Sequence, residues 1–258
     1  MPPVRDPWIM RPRPVPGARL RLFCLAHAGG GASTYRGWAA EVPPEVELCP
    51  VQLPGRENRI AEKPFDRLQP LVEALSQVLL QWDDLPFALF GHSNGALIGF
   101  ELSRRLRREG RPGPLHLFAS GRRAPDVPSR YRDIHQLADA EMVADLRELG
   151  GIPDAVLDHP EMRALVLPLL RADMALTETY EFVEEEPLDV PITAYGGLSD
   201  PKVSAEDLEA WGRHTRAGFR SRFFDGDHFY MAGAQHEAVM RALSGDLREI
   251  VGGARATV

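Results

Sequence analysis

Between Pro86 and Glu109 an apolar run, Pro86-Phe-Ala-Leu-Phe90, passes through Gly91-His-Ser-Asn-Gly95 straight into a helical pattern. A strand joined to a helix by so short a turn strains the residue at its apex. Side chains two positions before and after that residue would collide, a demand that the paired glycines answer. Gly-x-Ser-x-Gly in this setting lifts a serine hydroxyl above the carboxyl edge of a sheet, at the positive end of the following helix. Ser93 is therefore the expected nucleophile. On that helix Gly95, Gly99 and Ser103 share a stripe with Leu102 and Leu106, which marks the side packed on the sheet. Arg104, Arg107, Arg108 and Arg111 fall opposite and read as a solvated face.

Further strand patterns lie at 19–25, 45–51, 114–120, 190–196 and 218–224, with helical patterns at 67–81, 94–109, 204–214 and 235–250. This alternation predicts the α/β class, with a mainly parallel sheet covered by helices on both faces. One domain is expected over 1–258. From 121 to 187 the alternation stops: helical patterns at 139–149, with Asp139 as N-cap, and at 160–182, kinked at Pro168, predict an inserted helical subdomain. Leu165, Val166, Leu169 and Leu170 give its second helix an apolar face, suited either to packing on the core or to closing an acyl pocket as a lid.

Composition narrows the function. With 30 Lys+Arg against 37 Asp+Glu the net charge is −7, opposite to what nucleic acid attracts. Cys24 and Cys49 are the two cysteines, both inside strand patterns, and read as buried thiols rather than a disulfide or a zinc site. No apolar run reaches the ~18 residues of a membrane span. The proline-rich start, an edge strand or surface arm by its composition, has no apolar stretch of a signal peptide. A soluble, cytoplasmic protein with no membrane partner is the expectation.

A serine hydroxyl needs a base, and histidine oriented by a carboxylate is the usual one. In such a sheet the order along the chain is serine, then acid, then histidine after the last strand. His228, in Phe224-Asp-Gly-Asp-His-Phe229, follows the last strand pattern. His214 and His236 lie in helical patterns and read as surface residues, and the other five histidines precede any suitable acid. Asp200 follows the strand ending Gly196-Gly197 and fits the acid better than Asp225 or Asp227, which local turn hydrogen bonds explain. The oxyanion donors expected are the backbone N–H groups of Asn94, after the nucleophile, and Ala28, in the loop Ala26-His-Ala-Gly-Gly-Gly31. A dinucleotide loop is the competing reading of that segment, but Thr34 stands where the fingerprint needs Gly or Ala.

Over nearly its whole length the chain resembles the type II thioesterases of polyketide and nonribosomal peptide synthesis, free-standing α/β-hydrolases. The resemblance rests on Leu25-Ala-His-Ala-Gly-Gly30 with Tyr35 and Trp38, Gln52-Leu-Pro-Gly-Arg-Glu57, Gly91-His-Ser-Asn-Gly-Ala96, Leu149-Gly-Gly151, Leu170-Arg-Ala-Asp173 and Gly226-Asp-His-Phe229. It implies a helical lid over an acyl chamber, a Ser93/Asp200/His228 triad, and hydrolysis of acyl thioesters from the phosphopantetheine arm of an acyl or peptidyl carrier protein. Editing of stalled acyl groups is the implied role. No metal or cofactor of the enzyme's own is expected, and a monomer is. Two positions depart from the family pattern: Ala26 replaces its usual Pro and Asn94 its usual Met or Leu. The Asn94 side chain is thus expected beside the acyl group, where it would alter which chains are accepted. Docking an acidic carrier would need a basic patch, for which Arg104, Arg107, Arg108, Arg111, Arg122 and Arg123 are candidates. The alternatives are a carboxylesterase or lipase using the same residues, and a non-catalytic binding protein of the same fold.

Overall fold

The computed structural model describes residues 6–253. Six strands, β1 (Leu20–Leu25), β2 (Val46–Pro50), β3 (Phe87–His92), β4 (Leu117–Ser120), β5 (Ile192–Gly197) and β6 (Phe219–Phe224), form one sheet in the order β2-β1-β3-β4-β5-β6. Every pair is parallel. All six expected strands are present. β1, β4 and β5 are buried along their entire length, as near-continuous apolar strands must be when both sheet faces are covered.

Helices α1 (Leu68–Leu79) and α2 (Asn94–Arg108) pack on one face with Trp211. The other face is covered by Tyr35 and Trp38, from the 3₁₀ segment Ala32–Ala40, and by α7 (His236–Gly253). The stripe on α2 is the close-approach side: a Cβ on Gly99 would touch Leu117 of β4 at 3.1 Å. The chain leaves β1 toward β2, then returns to the far side of β1 with β3. The carboxyl ends of β1 and β3 thus border the point where the winding reverses, the place where such sheets hold ligands.

Cys24 and Cys49 are free and buried. The proline-rich start is an arm: Ile9 bridges Val51 in antiparallel sense, and the Met10 N–H donates to the Pro50 carbonyl at 2.9 Å. Residues 1–5 of that segment lie outside the described residues.

Between β4 and β5 lie α3 (Asp139–Leu149), α4 (Asp154–Asp158) and α5 (Pro160–Glu178), with a small core of their own built on Ile134, Met142, Leu146, Leu157, Leu167 and Leu170. Three expectations are corrected here. Ala138 is the N-cap of α3, and Asp139 instead accepts from Arg171 Nη2 at 2.7 Å. On α5, which continues through Pro168, Leu167 and Leu170 form the buried side while Leu165 is 60% exposed. The arginine face of α2 is not solvated at Arg104, which is 2% exposed. The segment after α5 covers it, placing Phe182 under the guanidinium and Glu185 2.7 Å from it, with Glu101 also at 2.7 Å. Between β5 and β6, α6 (Ala205–Glu209) is capped reciprocally by Ser204 and Asp207. No helix among the described residues is long and apolar enough to cross a membrane.

Candidate active site

Ser93 stands between β3 and α2 with φ 54° and ψ −113°, a left-sided backbone that a serine adopts only when its surroundings enforce it. The glycines explain the enforcement. A Cβ on Gly91 would lie 2.1 Å from the Gly95 carbonyl oxygen, and one on Gly95 would lie 2.0 Å from the Leu25 carbonyl oxygen of β1. Gly91 thus lets the turn close on itself, whereas Gly95 lets α2 start against the neighbouring strand.

His228 and Asp200 come from two loops stitched together at the end of β5. The Leu198 N–H donates to the Phe224 carbonyl and the Ser199 N–H to that of Gly226. A side chain at Gly197 would strike the Asp227 carbonyl oxygen at 2.3 Å. The loops can approach this closely because β5 ends in glycine, and the approach sets His228 Nδ1 2.7 Å from Asp200 Oδ2. Asp200 is fully enclosed at its side chain, and its other oxygen accepts from the Lys202 N–H at 2.8 Å. Asp225 and Asp227 are exposed, and Asp227 accepts from the Phe229 N–H within its own turn.

Ala28 and Asn94 both border the cavity that Ser93 and His228 face. Neither backbone N–H donates to another backbone carbonyl among the described residues, and that of Asn94 opens α2, where a helix has no acceptor to offer. The Asn94 side chain is held at the cavity wall by the helical segment. Its amide is buried and donates to the Asp173 carbonyl of α5 at 2.8 Å.

Asp173 is the tie that sequence reasoning missed. Its carboxylate, 2% exposed, accepts from Arg56 Nη1 and Nη2 at 2.9 and 2.8 Å and from the Gly29 N–H at 2.7 Å. Arg56 also donates to the Gly30 carbonyl at 3.0 Å. Gln52 Nε2 donates to the Arg56 carbonyl, and its Oε1 accepts from Ala32. The Gln52–Glu57 segment therefore holds the 27–31 loop in place. In the sequence, the Leu170-Arg-Ala-Asp173 motif is the signal that points to this tie.

Two more unpredicted neighbours are His92 and His27. The His92 ring is 5.0 Å from that of His228, and the His27 ring 5.9 Å from His92. Burial, then the neighbouring imidazoles, holds His92 far below the ordinary imidazole range; burial and His228 lower His27 to about 4. Both are neutral at pH 7, so neither ring adds a positive charge beside His228. His92 is anchored from below by Ser120 Oγ at 2.9 Å, itself 2.5 Å from the Tyr230 hydroxyl. His214, expected at the surface, is buried against Asp126 at 2.8 Å, and His236 pairs with Glu41; neither histidine itself lines the cavity that Ser93 borders.

The cavity has a volume of about 680 Å³ and is walled on one side by the sheet edge and on the other by residues from 121–182. Arg122 and Arg123 belong to this wall. Of the other arginines considered for docking, Arg107 and Arg108 pair with Glu185 and Arg111 with Glu109.

A parallel sheet of this order, with a serine on a glycine-flanked elbow after one strand and an aspartate–histidine pair after two later ones, is that of an α/β-hydrolase. The thioesterase domain family matches residues 20–247, and the chain belongs to that family, whose members hydrolyse thioesters. It is 43% identical over 232 residues to the gramicidin S biosynthesis protein GrsT of Aneurinibacillus migulanus, covering 90% of this chain and 91% of that protein. Among solved structures it resembles RedJ, a thioesterase of the prodiginine pathway in Streptomyces coelicolor, with 39% identity, 91% of each chain covered and a TM-score of 0.81. It also resembles BorB, the type II thioesterase of the borrelidin cluster, with 37% identity, 95% and 98% coverage and a TM-score of 0.83.

Proposed function

We propose that this type II thioesterase removes acyl groups from the phosphopantetheine arm of acyl or peptidyl carrier proteins by way of a serine acyl-enzyme. Ser93 Oγ attacks the thioester carbonyl while His228 Nε2 takes its proton, and Asp200 holds the imidazole by Nδ1. The Ala28 and Asn94 N–H groups receive the oxyanion. The C–S bond then breaks, the thiol leaves with the proton from His228, and water, deprotonated by the same imidazole, hydrolyses the ester. The 121–187 segment acts as a lid that encloses the acyl chain, and the role is editing of stalled synthases. The steps use no metal and no cofactor beyond the arm that the substrate brings, and the protein works as a cytoplasmic monomer.

The observation that carries this reading is the enclosed Asp200–His228 pair opening on the cavity that also holds the strained Ser93. The decisive comparison presents one acyl group on a carrier protein, on free pantetheine and as an oxygen ester. The carrier-bound thioester should turn over fastest and the Ser93→Ala variant should leave all three intact. An oxygen ester hydrolysed as fast as the carrier thioester would instead make the protein an esterase.

A further inference from the structure

Two cations in the cavity wall have no part in the chemistry just described. Arg122 follows Gly121 at the carboxyl end of β4 and lines the cavity that His228 also borders. Lys202 lies two residues past Asp200 on the same wall. Among the described residues neither side chain has an ion-pair or hydrogen-bond partner, and neither holds a nitrogen sealed from solvent. Both residues thus stand in the cavity wall with their charged heads unpaired.

Of the carboxylates around the cavity, Asp133 and Glu148 are exposed and unpaired among the described residues, whereas the others hold partners of their own. Asp200 holds His228 at 2.7 Å, Asp126 holds His214 and Arg213 at 2.8 and 2.7 Å, Asp145 holds Arg132 at 2.8 Å, and Glu178 holds His135 at 2.6 Å. This contrasts with the arginines of α2, all of which meet glutamates. Burial, then the adjacent Arg123, brings Arg122 down to about 9, and burial lowers Lys202. Arg122 remains protonated at neutral pH. Two partly desolvated cations on one cavity wall, neither in an ion pair, are costly to keep, and an anion that reaches both relieves that cost.

The geometry points to an anion subsite in which Arg122 and Lys202 together receive an oxyanion carried by the substrate. This inference rests on the hydrolase reading for its substrate. A carboxylate on the acyl chain and the phosphate of the pantetheine arm share the chemistry that the two cations recognise.

The test reads binding without turnover. Ser93→Ala protein is titrated calorimetrically with two matched pairs of thioesters: butyryl- and succinyl-N-acetylcysteamine, which differ by a carboxylate, and butyryl-pantetheine and butyryl-4′-phosphopantetheine, which differ by a phosphate. The same titrations follow with Arg122→Gln, Lys202→Gln and both added. In one pair the anionic member should bind roughly ten- to a hundred-fold more tightly than its neutral partner, the range expected for hydrogen bonds to charged groups. Each single substitution should reduce that ratio and the double one abolish it, with Arg122→Lys retaining part. The succinyl pair responding places the anion on the acyl chain, and the phosphopantetheine pair places it on the arm. The neutral thioesters give each variant's own baseline. An anionic-to-neutral ratio that is the same in every variant, whether or not all affinities fall together, overturns the subsite. Failure of the wild-type protein to hydrolyse any of the four would count against the Ser93 mechanism and leave the binding result intact.

Discussion

The two walls of the cavity reach their positions by different means. On the sheet side Ser93, Asp200 and His228 sit on turns whose course is dictated by glycines at 91, 95 and 197, each needed because a Cβ would strike backbone. On the other side, α3, α4 and α5 share a small core and carry exposed apolar residues such as Met162 and Leu165. That wall meets the neighbourhood of Ser93 through buried polar contacts on one residue: Asp173 binds Arg56 and Gly29 with its side chain and Asn94 with its carbonyl. Backbone sterics specify the first wall, and a polar tie locates the second.

The contrast can be broken at two points. Asp200→Asn leaves the fold intact while depriving His228 of its orienting charge, and turnover should fall by about 10⁴. Steady-state kinetics check this, and near-normal activity would pass the role to Asp225 or Asp227. Asp173→Asn should act differently. It leaves Arg56 buried without its counter-charge, so equilibrium unfolding should show a loss of about 3–5 kcal/mol. Turnover of the folded fraction should fall by a smaller factor, about 10², as the 27–31 loop shifts from its place beside Ser93. Loss of activity as deep as that of Asp200→Asn, or unchanged stability, would erase the distinction between the walls.

The same difference decides what the sequence made legible. Ser93, Asp200 and His228 could be singled out as candidates because each lies in a local pattern with its own steric reason: a glycine pair around the serine, a glycine-ended strand before the aspartate, a turn after the last strand before the histidine. The six strands were legible because buried parallel strands are apolar throughout. The Arg56–Asp173 pair joins residues 117 positions apart and the Asn94–Asp173 contact spans 79, and no periodicity announces either. The place of Asn94 after Ser93 accordingly could not reveal that its amide also donates to α5. Arg104 read as solvated because the helical pattern cannot reveal that Phe182 and Glu185 fold over it. His27 and His92 were set aside for preceding the acid in sequence, a criterion for a base that says nothing about which rings pack around it.

The convergence of residues 93, 200 and 228 is tested most directly by labelling the folded protein with a fluorophosphonate and mapping the adduct by peptide mass spectrometry, in wild type and in His228→Ala. The adduct should fall on Ser93 alone and form far more slowly in the variant. A phosphonylated residue other than Ser93, or labelling of Ser93 at the same rate without the imidazole, would contradict it.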